Sequence, residues 1–445
     1  MMFSRSWKHK DLSAFRAFID AEPTYAPSQR GKNNLYKLFI CRSLDLLADG
    51  GHLGFISPMA LLGDDQAADL RRRIIDAARF TAVDAFPQKD NPKERVFPEA
   101  KLSTAVFVLE KRRPSDRTSK PFVSRVHPGR EIVGTSPSLT LTTEAIPLYD
   151  PSNFSIVSCS QDDWDLATRV TSSGRMIRLR EVVEFFQGEV NETNERAKGN
   201  LSGPGDGKLV TRGASVTLYV VRKASQGKDL WLNIAKFLKG KGPDTKALHY
   251  LGPRVGLQES SPQNNFRRII AAYILAGEFC NHKVNYVPEK CSGLPLPFLL
   301  ALLNSKLADW YFRLGSTNAA VSHYQLYNLP CPLFSNSSSA SDRGLAHRAL
   351  KALDARDTEG VLSMLAPALA SGAPFSRSVL DIVVAAVEKI TEIEKGRGDI
   401  PKSERSHLAP ESQVHQDLID RLLFRMAGLS EGEGRGLETR LAEML

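Results

Sequence analysis

The sequence predicts an α/β block, then an α+β segment, then a helical tail, and three observations carry this. Residues 33–58 and 95–111 pair helix-like with strand-like apolar spacing, residues 155–335 hold short strand-like runs broken by Gly and Pro, and residues 336–445 carry apolar stripes at helical spacing.

In the first block, residues 1–112, Leu35, Leu38, Phe39, Leu46 and Leu47 form an apolar stripe on a helix that Gly50-Gly51 ends. The apolar run 52–56 reads as a buried strand fed by that helix. A helix over 69–78, a strand over 82–86, the loop Val96-Phe97-Pro98-Glu99-Ala100-Lys101 and a strand over 104–109 complete the block. Residues 113–154, rich in Ser, Thr and Pro, read as a linker or peripheral segment.

In the segment 155–335, strand-like runs fall at 209–210, 217–221 and 269–274. A helix over 298–314 closes it, with Leu299, Leu303, Leu307, Trp310 and Leu314 on one face and Gly315 as its stop. The polar run 335–341 reads as a hinge. The tail beyond it carries stripes at Val379, Ile382, Val383, Val387 and Ile390, and at Leu418, Ile419, Leu422, Leu423 and Met426.

At 445 residues the chain is long enough for two or three domains, and 42% apolar with 24% charged residues excludes wholesale disorder. The net charge of +9 is compatible with a polyanionic partner without establishing one. Cys41, Cys159, Cys280, Cys291 and Cys331 are odd in number and lack C-x-x-C spacing, which favours reduced thiols over a zinc site or disulfide scaffold. No apolar run reaches the roughly 20 residues of a membrane-spanning helix. The residues around Trp7 lack a signal-peptide core, so a cytoplasmic setting is expected.

Several chemistries lack an anchor. No Walker A, H-E-x-x-H or G-x-S-x-G string occurs, and no Gly-rich turn sits in the first fifty residues. Gly203, Gly205 and Gly207 lie in a Pro- and Asp-rich stretch that reads as a loop, not a cofactor cradle. No carboxylate cluster suited to a nuclease metal stands out. Phe97, fixed by Pro98 at a strand entrance, can present its ring at the mouth of the sheet with Lys101 nearby, or can be a core ring beside a solvated lysine.

In order along the chain, a set of motifs resembles adenine-specific (N6) DNA methyltransferases of restriction-modification systems, the gamma class that includes fused restriction enzyme-methylases. The first three are Asn34-Leu35-Tyr36-Lys37-Leu38-Phe39, Gly50-Gly51-His52-Leu53-Gly54-Phe55-Ile56-Ser57-Pro58, and Val96-Phe97-Pro98 leading into Leu102-Ser103-Thr104-Ala105-Val106-Phe107. The resemblance continues through Pro253-Arg254-Val255-Gly256-Leu257-Gln258, Asn265-Phe266-Arg267-Arg268, Asn281-His282-Lys283-Val284-Asn285-Tyr286 and Asn328-Leu329-Pro330-Cys331-Pro332.

The resemblance implies an incomplete Rossmann-like methyltransferase domain over 1–112, a target-recognition domain over 155–335 and the helical C-terminal tail over 336–445. It implies S-adenosylmethionine as methyl donor and double-stranded DNA as substrate, with Phe97 and Lys101 at the pocket of an extruded adenine. Such extrusion is needed because the exocyclic amine is a poor nucleophile that must be oriented outside the base stack.

The family's N-P-P-Y tetrapeptide and Gly-rich cofactor motif do not occur in this sequence. The resemblance therefore implies no catalytic residue here and completion by an N-terminal part or a separate N-terminal methyltransferase subunit. The rival reading is a non-catalytic DNA-binding specificity subunit of a split restriction-modification or phage-defence system. Candidate DNA contacts are Arg212, Arg254, Gln258, Arg267, Arg268, Lys283 and Asn285, since Arg and Lys reach phosphates or guanine edges and Gln and Asn can grip adenine.

Overall fold

The structure, a computed structural model, describes residues 7–116, 119–223, 229–316 and 319–443. It is a mixed α/β protein with several sheets and many helices. The chain forms two compact units, one of residues 1–168 with 314–317 and one of 169–313 with 318–445.

The first unit is built on a five-stranded sheet, β1 (His52–Pro58), β2 (Ala78–Phe86), β3 (Thr104–Lys111), β4 (Pro121–Val126) and β5 (Ser138–Thr142), in the order β1-β3-β2-β4-β5. β3 runs antiparallel to both β1 and β2, β2 and β4 are parallel, and β4 and β5 are antiparallel. The expected strands at 82–86 and 104–109 are thus present and longer. The expected linker 113–154 instead contributes two strands, because Phe122, Leu139 and Leu141 alternate inward and are buried.

A bulge between Phe80 and Ala82 of β2 lets Phe80, Val83 and Ala85 all share the buried face with Ala105, Phe107 and Leu109. The rings of Phe80, Phe107 and Phe122 meet at centroid distances of 5.5 to 6.1 Å. On the opposite face Val106 and Val108 are only half-buried, and Gly54 and Ile56 beside them are exposed.

β1 is an edge strand, which corrects the expectation of a buried one: its outer side has no partner strand among the described residues, and His52, Gly54 and Ile56 face solvent. Helix α1 (Trp7–Ala21) precedes helix α2 (Leu35–Leu46), which touches β1. α2 buries Lys37, Leu38, Ile40, Cys41 and Leu44 on one side. On the other it exposes Leu35, Phe39 and Leu46, at 61%, 61% and 69%. Spacings of four and seven residues put those three on one line along the helix.

The second unit contains an antiparallel arrangement of Arg254–Gln258 between Ala271–Ile274 and Val284–Pro288, with Phe186–Gln187 beyond the last. A second four-stranded sheet joins Leu201–Ser202, Lys208–Thr211, Trp231–Leu232 and Phe279–Cys280. The expected strand at 217–221 is a turn closed by a single bridge between Val216 and Val221. There Tyr219 holds a left-handed backbone, φ 68°, fixed by bonds from its N–H to the Ala271 carbonyl and from Tyr273 N–H to its own carbonyl.

The expected helix over 298–314 is two helices, Leu296–Leu303 and Lys306–Leu314. Asn304 breaks it because its side chain acts as a strand neighbour: Oδ1 accepts from Ala271 N at 2.9 Å and Nδ2 donates to Ala271 O at 3.0 Å. In the tail the two apolar stripes form Arg377–Gly396 and Pro410–Met426, which pack on each other. The former also packs on Leu296–Leu303, so the tail and the sheets share one unit.

Candidate nucleic-acid interface

In the first unit the long connection 87–103 leaves the C-terminal end of β2 and returns at the start of β3, where Thr104 pairs with Pro58 at the end of β1. Its base is closed by Ser103 Oγ donating to the Pro87 carbonyl at 2.8 Å and by Met59 N–H donating to the Ser103 carbonyl at 2.9 Å. Phe97 sits on this loop with 43% of its surface exposed, so its ring is presented to solvent. Lys101 is also exposed and forms a 2.8 Å ion pair with Asp90. Thr104 Oγ1 is buried at the same strand entrance without a hydrogen-bond partner.

The ends of open sheets are where α/β folds place ligands. Among the described residues, the connection from β1 to the short helix α3 (Ala60–Gly63) runs through Ser57-Pro58-Met59, with no glycine to let backbone approach a nucleotide. That connection therefore offers no glycine turn for S-adenosylmethionine.

In the second unit three of the expected DNA contacts converge. Arg212, Gln258 and Lys283 line an open groove of about 780 Å³, together with Asn265, Phe266 and Asn281. Gly213 lies in its floor, and a Cβ there would stand 2.7 Å from the Lys283 carbonyl oxygen, so the close approach of these two segments requires glycine. Gln258 is held by its Nε2 donating to the Val216 carbonyl at 2.8 Å. Arg212 lies 3.3 Å from Glu192 and Lys283 3.1 Å from Glu259, both partly exposed pairs of the kind that exchange readily for another anion.

Three other candidates are corrected. Arg254 is fully buried, its Nη1 donating to both carboxylate oxygens of Glu189 at 3.1 Å and its Nη2 to the Glu278 carbonyl. Its guanidinium also stacks 4.6 Å from the centre of the Tyr286 ring. Arg268 is buried over the Phe312 ring, with its backbone N–H donating to Asp309. Asn285 is buried and donates to the Val321 carbonyl at 2.9 Å.

All three side chains are buried in this structure and turned to partners within the protein. Arg267 is half-buried and does not line the groove. It lies close enough to Asp420 to oppose the upward push that burial gives that carboxyl.

The sequence reading missed Lys402, Arg405 and Ser406, which also line the groove. Their signal is the set of cations Arg397, Lys402 and Arg405 between the two apolar stripes of the tail. With them the lining carries four cations and no carboxylate among the described residues. An arrangement of that kind attracts a polyanion and offers amides for base edges.

Residues 8–91 match the family model of the Eco57I restriction-modification methylase. Among solved structures the chain is similar to the Type IIL restriction-modification enzyme MmeI in complex with DNA, at 11% identity and a TM-score of 0.44, covering 92% of this chain and 52% of that one. It is also similar to the type IIG restriction endonuclease BpuSI (12%, TM-score 0.29, 98% and 53%) and to the DrdV–DNA complex (10%, TM-score 0.36, 93% and 53%). The chain spans about half the length of each. No curated protein matches it. Among the described residues no helix is long and apolar enough to cross a membrane, and no group of His, Cys, Asp and Glu could hold a metal ion.

Proposed function

We propose that this chain supplies double-stranded DNA recognition, and part of the target-base pocket, to a restriction-modification methyltransferase acting on adenine N6 with S-adenosylmethionine. The observation that carries the reading is the cation-lined groove of the second unit, free of carboxylates among the described residues. Arg212 and Lys283 neutralise phosphates or meet guanine edges, and Gln258 and Asn265 offer amides to adenine. The methylase family match over residues 8–91 supports the methyltransferase part. The exposed ring of Phe97 suits a wall against which an extruded base stacks.

Catalysis requires completion by a further polypeptide segment or subunit. Two features of the first unit support this: the open edge of β1, and the solvent-facing line Leu35, Phe39 and Leu46 on α2. An unpaired strand edge beside exposed large apolar groups is a surface that proteins ordinarily cover.

The test is a filter assay with tritiated S-adenosylmethionine and mixed-sequence duplex DNA. The chain alone is expected to retain DNA on the filter without incorporating label. Robust methyl incorporation by the purified chain would refute the need for completion, and absence of DNA retention would refute the recognition role.

A further inference from the structure

We infer that the turn 402–406, which belongs to the helical tail, is a second jaw of the groove and grips the phosphate backbone through Lys402, while the opposite jaw reads bases. The inference rests on the DNA reading above and assigns separate tasks to the two sides of that site. The lining comes from two parts of the chain, the segments around Arg212, Gln258, Asn265 and Lys283, and the turn that carries Lys402, Arg405 and Ser406.

The turn is held in place by a buried strut. Arg222 follows the groove-lining segment 212–217, and its Nη2 donates to Glu394 Oε2 at 2.9 Å and to the Glu394 carbonyl at 3.0 Å. Its Nη1 donates to the Gly398 carbonyl. Glu394 Oε1 in turn accepts from Ala409 N at 2.8 Å, so one carboxylate ties down both ends of the segment that carries the turn. Lys223 N–H donates to Asp399 Oδ1 at 2.9 Å, and Arg405 Nη1 donates to the Lys223 carbonyl at 2.7 Å.

Within this frame the cations differ. Arg405 spends Nε on the Ile400 carbonyl and Nη1 on Lys223, so much of its donor capacity anchors the turn. Lys402 is exposed and forms no ion pair among the described residues, and the turn's own acid, Glu404, faces Arg397 at 3.6 Å and does not line the groove. A flexible, unpaired ammonium is suited to a phosphate, to which it contributes a point charge without base preference. Gln258, whose amide is pinned to Val216, is suited to a fixed base edge.

The experiment is fluorescence anisotropy of the full chain with a set of labelled duplexes differing in sequence, titrated across salt, for the wild type and for Lys402→Ala, Lys402→Glu and Gln258→Ala. Thermal melting checks that each variant is folded. Lys402→Ala is expected to weaken binding to all duplexes by a similar factor. It should also reduce the slope of log affinity against log salt by about 0.9, the release of one phosphate counterion. Lys402→Glu should weaken binding further, again without changing the order of preference. Gln258→Ala should change the order and leave the slope.

An unchanged slope in both Lys402 variants, with wild-type binding intact, overturns the jaw and leaves the DNA reading standing. A changed order of preference in them overturns the division of tasks. Wild-type chain that binds no duplex overturns the DNA reading itself, and the jaw with it.

Discussion

Arg254 and Glu189 form a fully buried ion pair in the second unit, with Arg254 Nη1 3.1 Å from each carboxylate oxygen. Glu189 also accepts from Cys280 N–H at 3.1 Å, so the pair links Arg254–Gln258 to the short strand Phe279–Cys280. Removing one partner strands the other charge in the interior. Arg254→Ala should lower the stability of this unit by about 3–5 kcal/mol in urea denaturation, and replacing both residues by Met should cost less than either single change. Arg254→Ala that leaves stability unchanged but abolishes DNA binding would restore Arg254 as a contact residue.

Asn304 accepts from the Ala271 N–H and donates to the Ala271 carbonyl, which also accepts from Tyr219 N–H. Asn304→Ala leaves the buried Ala271 N–H without a partner, while the carbonyl keeps its bond from Tyr219 N–H, and should destabilise by about 1–3 kcal/mol. Asn304→Asp keeps an acceptor and, while protonated, a donor, so it should be milder than Asn304→Ala at acid pH and worsen as rising pH ionises the carboxyl. Equal midpoints for wild type and Asn304→Ala would count against this account of the helix break.

Gly188 lies against the Asn281 backbone, where a Cβ would stand 1.9 Å from the carbonyl oxygen. Neither atom belongs to a flexible side chain, so Gly188→Ala must displace a strand. A loss of about 1–3 kcal/mol is expected, together with weaker DNA binding, since Asn281 lines the groove. A Gly188→Ala variant with wild-type melting temperature would contradict the packing described.

Arg79 grips Glu110 with two bonds, Nε to Oε2 at 3.0 Å and Nη2 to Oε1 at 2.8 Å. Those bonds, aided by Lys120, bring the Glu110 carboxyl down from 4.5 to about 2. A carboxyl depressed in the folded state contributes stability that is fully present above its unfolded value and disappears as pH falls through the folded one. The first unit should therefore lose stability between pH 4.5 and about 2, and Glu110→Gln should be less stable at neutral pH and converge with wild type at the acid end. Parallel pH profiles for the two proteins would rule the pair out as an acid-sensitive element.

Leu35, Phe39 and Leu46 face solvent along α2. Phe39→Glu with Leu46→Glu should leave the melting temperature of the isolated chain nearly unchanged, within about 0.5 kcal/mol of stability, while reducing binding of a hydrophobic dye and self-association. A large drop in melting temperature would mean that the stripe is packed, and would remove one support for a missing partner surface.

Much of the first sheet was legible because β2 and β3 carry their pattern in local apolar spacing. The Ser138-Leu139-Thr140-Leu141-Thr142 alternation of β5 was equally plain but was hidden within a Ser- and Thr-rich segment taken for a linker. What was not legible depended on distant partners. The apolar run of β1 looked buried because its composition says nothing of whether a neighbour lies on each edge. Asn304 broke a helix only because Ala271 offered it a backbone edge.

The site divided along the same line. Gln258 and Lys283 reached the groove as expected, whereas Arg254 and Asn285, on neighbouring strands of the same sheet, turned inward to Glu189 and Val321. Arg254 and Gln258 are four residues apart on one strand, a spacing that keeps one face, so it is the partner each meets, Glu189 or the Val216 carbonyl, that separates them, and local spacing does not reveal it. Lys402 and Arg405 were missed because the loop that carries them reaches the groove through Arg222 and Glu394, some 170 residues apart in sequence, a separation of 172 between the two.

The central claim, that DNA occupies the groove of the second unit, is tested most directly by hydrogen–deuterium exchange of the chain with and without duplex DNA. Slower exchange is expected in segments 212–217, 258–266, 281–283 and 402–406, with the α2 stripe unaffected. Protection confined to other segments, with those four unchanged, would contradict it.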